Sequence, residues 1–151
     1  MSTLKDRLTA DMRTAMKNRD ATVTSTLRMV LAAVGVAEVS GKAKRELTDE
    51  EVLAVLAKEA KKRAEAAAAF AAGGRPEQAE QERAEEAVLA EYLPTQLTDS
   101  ELTDLVTRTV TAGGWSGMGS MGQAMKAVQA AVAGRADGGK VAAEVRRALG
   151  V

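Results

Sequence analysis

Apolar residues recur along this chain at helical, not strand, spacing. Leu4, Leu8, Met12 and Met16 stand four apart, with Lys5, Asp6, Arg7, Asp11 and Arg13 on the remaining faces, which predicts a first amphipathic helix ending near Arg19. After Asp20, a residue type that caps helix starts, Val23, Leu27, Val30, Leu31 and Val34 predict a second helix reaching the polar Ser40-Gly41-Lys42 break. Thr48-Asp49-Glu50-Glu51 has the form of a capping box, flanked by Leu47 and Val52 as a hydrophobic staple, and opens a third, Ala-rich helix running to about Ala72. Gly73 and Gly74 stop it. Pro76 suits a first helical position, and a fourth helix follows toward Tyr92.

Leu93-Pro94-Thr95-Gln96 breaks the pattern, because proline has no amide to donate and disfavours helix in the residue before it. The break predicts a domain boundary, with one helical domain over residues 1–93 and a second over 94–151. A second capping box, Thr98-Asp99-Ser100-Glu101, precedes the stripe Leu102, Leu105, Val106, Thr109 and Val110. The β-branched run from Val106 to Thr111 leaves a strand as the competing assignment there. Gly113 to Gly119 reads as a glycine-rich turn, and Ser120-Met121-Gly122-Gln123 as a third capping box, opening a helix with Met125, Val128, Gln129 and Val132 at helical spacing. Gly134 closes it, and Asp137 caps a last helix with Val141, Val145 and Leu149 inward. The fold class predicted is all-α: about four helices, then a small three-helix domain.

Composition removes much chemistry. The 151 residues include no His and no Cys, which excludes thiolate or Ser-His-Asp catalysis, disulfides and the usual metal cages. No cofactor and no metal are expected. Lys+Arg and Asp+Glu are both 21, so no global field advertises a nucleic-acid partner, and any charged partner must be met locally. No apolar run approaches the ~20 residues of a membrane span, and a charged start without a secretory pattern is that expected of a cytoplasmic protein.

Several motifs have bland readings that outweigh sharper ones. Gly117-Met118-Gly119-Ser120-Met121-Gly122 satisfies GxGxxG, with Asp137 twenty positions after Gly117, but a dinucleotide site needs a strand to deliver that turn. It reads as a connector. Lys58, Lys61 and Lys62, with Arg63 alongside, form a basic stripe on the third helix that Glu59 can neutralise through Lys62 or Arg63, so a solvated, salt-bridged face is expected. Asp49-Glu50-Glu51 and Glu85-Glu86 lack a nucleophile or ligand set, and acids in a first helical turn answer the macrodipole. In the last two helices Lys126, Arg135, Lys140, Arg146 and Arg147 outnumber Asp137 and Glu144, which makes these five the candidate RNA contacts. With Phe70, Tyr92 and Trp115 the only aromatics, a stacking platform for single strands is not expected, and recognition of folded RNA by shape and phosphate fits better.

The order of Leu27-Arg28-Met29-Val30-Leu31, Leu47 to Val52, Lys58-Glu59-Ala60-Lys61-Lys62-Arg63, Phe70 before Gly74-Arg75, Tyr92-Leu93-Pro94-Thr95-Gln96-Leu97 and Met121-Gly122-Gln123-Ala124-Met125-Lys126 resembles the YqeY-like (GatB/YqeY) family along most of the chain. The last third, through Gly122 to Lys126 and Gly134 to Gly138, is also similar to the helical tail of GatB, the B subunit of the tRNA-dependent amidotransferase. There Asp137-Gly138 stands in place of the tail's Asn-Pro. The resemblance implies an N-terminal helical domain followed by a three-helix tail-like domain, and a non-catalytic module partnered by tRNA, or by a translation or amidotransferase component. It leaves two alternatives: a component of a glutamine-dependent carbon-nitrogen ligase, and a helical protein-interaction module without RNA. The similarity is to the tail, and the carboxylate-activating core and amidase residues have no counterpart here.

Overall fold

The computed structural model describes residues 2–151, and among them there are seven α-helices and no strand. They are α1 (Thr3–Lys17), α2 (Ala21–Val39), α3 (Asp49–Ala72), α4 (Pro76–Ala90), α5 (Asp99–Gly113), α6 (Met121–Val132) and α7 (Gly138–Leu149). The chain divides into two compact units, the first ending at Leu93 and the second running from Pro94 to Val151.

Local chemistry sets most helix starts in the first unit. The Ser2 hydroxyl accepts the Lys5 amide at 3.1 Å, and Asp20 accepts the amide of Val23 at 3.1 Å. Thr48 and Glu51 form the reciprocal capping box at the head of α3. Leu47 and Val52, the two staple residues, are both buried. At the far end of α3, Gly74 takes a positive φ of 73° and the Arg75 amide donates back to the Phe70 carbonyl at 2.8 Å, which turns the chain into α4 behind Pro76. Ala67 and Ala79 are buried, so the alanine-rich stretch serves close helix contact. The core gathers Leu8, Leu27, Val30, Val34, Leu47, Val52, Leu56 and Leu89.

Four expectations need correction in this unit. Met16, assigned to the buried stripe of α1, is 48 % exposed, and Ala15 is buried in its place, because the inward face of the last turn drifts by one residue. The fourth helix stops at Ala90, and Tyr92 lies in the turn beyond it, its hydroxyl donating to Asp11 at 2.6 Å while Arg7 stacks on its ring. Arg63 is not on the solvated basic face. It is 5 % exposed, turned inward against Glu59 and Glu85. Finally, α2 is by length and composition apolar enough to cross a membrane, contrary to the sequence reading. In the fold it packs Leu27, Val30 and Val34 into the core, while Met29, Val36 and Val39 stay largely exposed.

Three carboxylates tie the first unit together. Glu38 receives Lys5 Nζ at 2.8 Å and the Leu47 amide at 3.3 Å, and Asp49 receives Ser2 Oγ, Thr3 Oγ1 and the Leu4 amide. Glu51 pairs with both terminal nitrogens of Arg45. The Lys5 bond lowers the Glu38 pKa, the Ser2 bond lowers that of Asp49, and the Arg45 bond holds Glu51 down at about 2. All three ionise more readily folded than unfolded, so their stabilisation is complete above the ordinary carboxylate pKa of about 4 and fades as pH falls through the folded values. Urea midpoints of the intact chain are therefore expected to be level from pH 7 to 5 and to drop steadily toward pH 2. Glu51→Gln should lower the midpoint at pH 7 and flatten the acid limb. Equal midpoints at pH 6 and pH 3 would contradict this account.

In the second unit Leu102, Val106, Val110, Ala124, Val128, Val132, Val141, Val145 and Leu149 form the core. The run that left a strand open is helical, since Val106 and Val110 are buried one turn apart and Thr109 Oγ1 donates to the Leu105 carbonyl at 2.8 Å. The Thr98–Glu101 capping box forms. The one expected at Ser120 does not. A 3₁₀ turn, Met118–Ser120, runs directly into α6 and fixes Ser120 at helical angles, its hydroxyl donating to the Ser116 carbonyl at 3.1 Å. Within the turn Gly117 takes the Ser120 amide and Met118 that of Met121, while Ser120, at helical instead of extended angles, makes no side-chain cap. A helix precedes this glycine run, not the strand that a dinucleotide site requires.

Candidate nucleic-acid interface

Two long-range bonds on the surface of the second unit mark the direction of its helices. Lys140 Nζ meets Asp99 Oδ1 at 3.1 Å and Arg147 Nη2 donates to Thr107 Oγ1 at 2.8 Å, so α5 and α7 run side by side in the same sense. Helix α6 returns between their ends. One end of the unit therefore holds the starts of α5 and α7, and the other holds the Gly113–Ser120 turn and the finish of α7, where the Gly117 amide donates to the Leu149 carbonyl at 2.9 Å.

The five sequence-predicted contacts are distributed over this frame and do not converge on one patch. Arg135 stands between α6 and α7 as a latch. Its Nε donates to the Thr95 carbonyl at 2.8 Å and its own carbonyl accepts the Leu97 amide at 2.7 Å, fastening the segment before α5. It is half-buried and its Nε is taken by the Thr95 carbonyl, so Arg135 is not a freely exposed RNA contact. Lys140 is 62 % exposed and paired with the more exposed Asp99, an ion pair of little strength in water that leaves the ammonium accessible. Arg147 is held by Glu144 at 2.7 Å as well as by Thr107. Lys126 on α6 and Arg146 on α7 are exposed, and neither has a hydrogen bond or ion pair among the described residues.

The turn at Asp137 keeps the capping role expected of it. Its carboxylate accepts the Lys140 amide at 3.3 Å. Near Thr98, Glu101 is kept below its ordinary pKa chiefly by the Thr98 amide, with a smaller contribution from Arg135. Asp99, Glu101 and Asp104 thus concentrate the negative charge on the first turns of α5.

One cation escaped the sequence reading. Arg108 is exposed on α5, and among the described residues it bonds only the Asp104 carbonyl of its own helix, at 3.4 Å. The signal for it lies in the charge order: from Leu105 to Ala136 the chain has Arg108, Lys126 and Arg135 and no carboxylate at all. Counting charges only over the last two helices concealed that stretch, which spans most of α5, the glycine turn and all of α6.

The basic stripe of the first unit offers less. Glu59 binds Arg63 Nη1 at 2.5 Å and Lys62 Nζ at 3.3 Å, so a single carboxylate neutralises two of its four cations.

No curated protein matches the chain significantly. The family model described as Yqey-like protein matches residues 5–149, nearly the whole length and both units. With an all-helical fold and a match of that extent, the chain belongs to the Yqey-like protein family.

Proposed function

We propose that this chain is a non-catalytic, tRNA-associated binding module whose C-terminal unit meets folded RNA through its phosphates. The observation that carries the reading is the charge arrangement on α5 to α7: Lys126 and Arg146 exposed without partners among the described residues, Arg108 exposed as well, and no carboxylate from Leu105 to Ala136. The resemblance of this third of the chain to the GatB tail supports the same partner. A chain without His or Cys lacks the groups that most often carry out acyl or amide transfer, which favours binding over catalysis. Arg135, although basic, has a structural part in this reading.

Titrating the intact chain with a tRNA transcript and with an unstructured RNA strand at several salt concentrations tests the proposal. Affinity for the tRNA should be the greater and should fall linearly in a log–log plot against salt, with a slope of about −0.9 per phosphate neutralised on a duplex-like surface. The Lys126→Glu/Arg146→Glu pair should weaken tRNA binding at least tenfold at low salt, with unchanged helicity, and make the slope shallower by about two phosphates' worth. Equal binding of the two RNAs, or wild-type affinity in the double variant, would remove direct RNA contact and leave a protein partner as the preferred reading.

A further inference from the structure

Between α5 and α6 runs a groove of about 620 Å³, open to solvent, lined by Leu105, Arg108, Thr109, Ala112, Trp115 and Ala127. The indole is held from behind. A Cβ placed on Gly113 would fall 2.4 Å from Cε3 and Cζ3 of Trp115, so the ring rests directly on the Gly113 backbone, a position only glycine permits. The following loop is fixed as well, through the Trp115 amide on the Val110 carbonyl at 3.3 Å and the Gly117 amide on Leu149. Trp115 is thus a half-buried, pre-set aromatic wall, with Arg108 beside it.

We infer that this groove takes one unpaired base of a folded RNA, stacked on Trp115, with Arg108 meeting the phosphate attached to it. The inference rests on the RNA-binding reading above and adds a residue and a ligand chemistry to it. A base is flat and apolar on its faces and is tied to an anion; the groove offers an aromatic wall, small aliphatic sides and a cation, inside a stretch of chain that has no carboxylate. A run of stacked bases would need several aromatics. One exposed base needs one, which is what a protein with a single tryptophan supplies.

Because Trp115 is the only tryptophan, its emission reports the groove directly. The intact chain is titrated with a tRNA transcript and with a blunt-ended RNA duplex, and binding is followed in parallel by the anisotropy of labelled RNA. The tRNA should quench Trp115 with the same midpoint as the anisotropy change, and the duplex should leave the emission unaltered. Trp115→Leu should weaken tRNA binding about tenfold, the loss of one stacked base, while Trp115→Phe retains most of the affinity and both bind duplex as before. Ala127→Leu, which fills the groove without touching the indole's support, should reproduce the tRNA-selective loss with wild-type circular dichroism. If tRNA binds by anisotropy while Trp115 emission is constant, or if both Trp115→Leu and Ala127→Leu bind tRNA normally, the base contact is overturned and the RNA reading survives. Absence of any anisotropy change with either RNA overturns both.

Discussion

Arg63→Ala is expected to destabilise the first unit by about 3–5 kcal/mol, the penalty for stranding buried charge. An exposed arginine on a basic stripe, which is how the sequence presents Arg63, would cost about 0.5 kcal/mol or less on truncation. The structure buries it to 5 % exposure, with Nη1 on Glu59 Oε2 at 2.5 Å, Nη2 on the Met29 sulfur at 3.6 Å, and Nε 3.8 Å from Glu85 Oε2. The side chains of Glu59 and Glu85 are only 11 % and 14 % exposed, so without Arg63 they would repel in a poorly hydrated space. Glu82 adds to this, its pKa raised by burial and then by the charge of Glu85. A carboxyl with a raised folded pKa contributes its stabilisation below its unfolded value and loses it as pH rises, opposite in sign to Glu38, Asp49 and Glu51.

The Arg63→Ala loss should therefore be largest near pH 7 and shrink as pH falls and Glu82, whose pKa burial raises and Arg63 opposes, takes up its proton. Replacing the charges together, as in Arg63→Met/Glu59→Leu, should recover much of the loss, since well-packed apolar groups often equal a buried pair. Urea denaturation followed by circular dichroism measures the loss, and hydrogen exchange should localise it to α2, α3 and α4. A loss below about 0.5 kcal/mol, independent of pH, would put Arg63 back on the surface.

Leu8→Ala should cost about 2–5 kcal/mol, whereas Met16→Ala, two turns along the same helix and in the same sequence stripe, should cost about 0.5 kcal/mol. Leu8 is fully buried among the core residues of the first unit, and its removal leaves both lost transfer energy and a cavity. Met16 is 48 % exposed, with the Arg28 guanidinium resting on its sulfur at 3.8 Å. Against a typical total stability of about 5–15 kcal/mol, the first change is large enough to shift the unfolding midpoint markedly. Similar losses for both variants would mean that α1 ends rotated relative to the packing described.

The sequence by itself determined whatever depends on neighbours within a turn or two. Thr48 with Glu51, Thr98 with Glu101, Asp20 and Asp137 each cap a helix three residues away, and Pro76 and Gly74 act through their own backbone preferences. Hence helix number, order and most boundaries were legible, as was the family, whose motifs lie largely in these same segments. Ser120 is the instructive exception: it has the residue type of a cap, but the 3₁₀ turn before it holds it at helical angles and its hydroxyl donates back to the Ser116 carbonyl. The availability of each charge was decided only by tertiary structure. Arg135 is taken by Thr95 forty residues away, Lys140 by Asp99 forty-one away, and Arg63 by Glu85 on the facing helix, while Lys126 and Arg146 are left to solvent. Periodicity gives the face a side chain starts from; a cation's partner depends on which carboxylate or carbonyl the packing brings within about 3 Å, a distance that local pattern does not encode. Trp115 divides between the two: Gly113 beneath its ring is a neighbour two residues away, whereas α6 across the groove is brought there by packing.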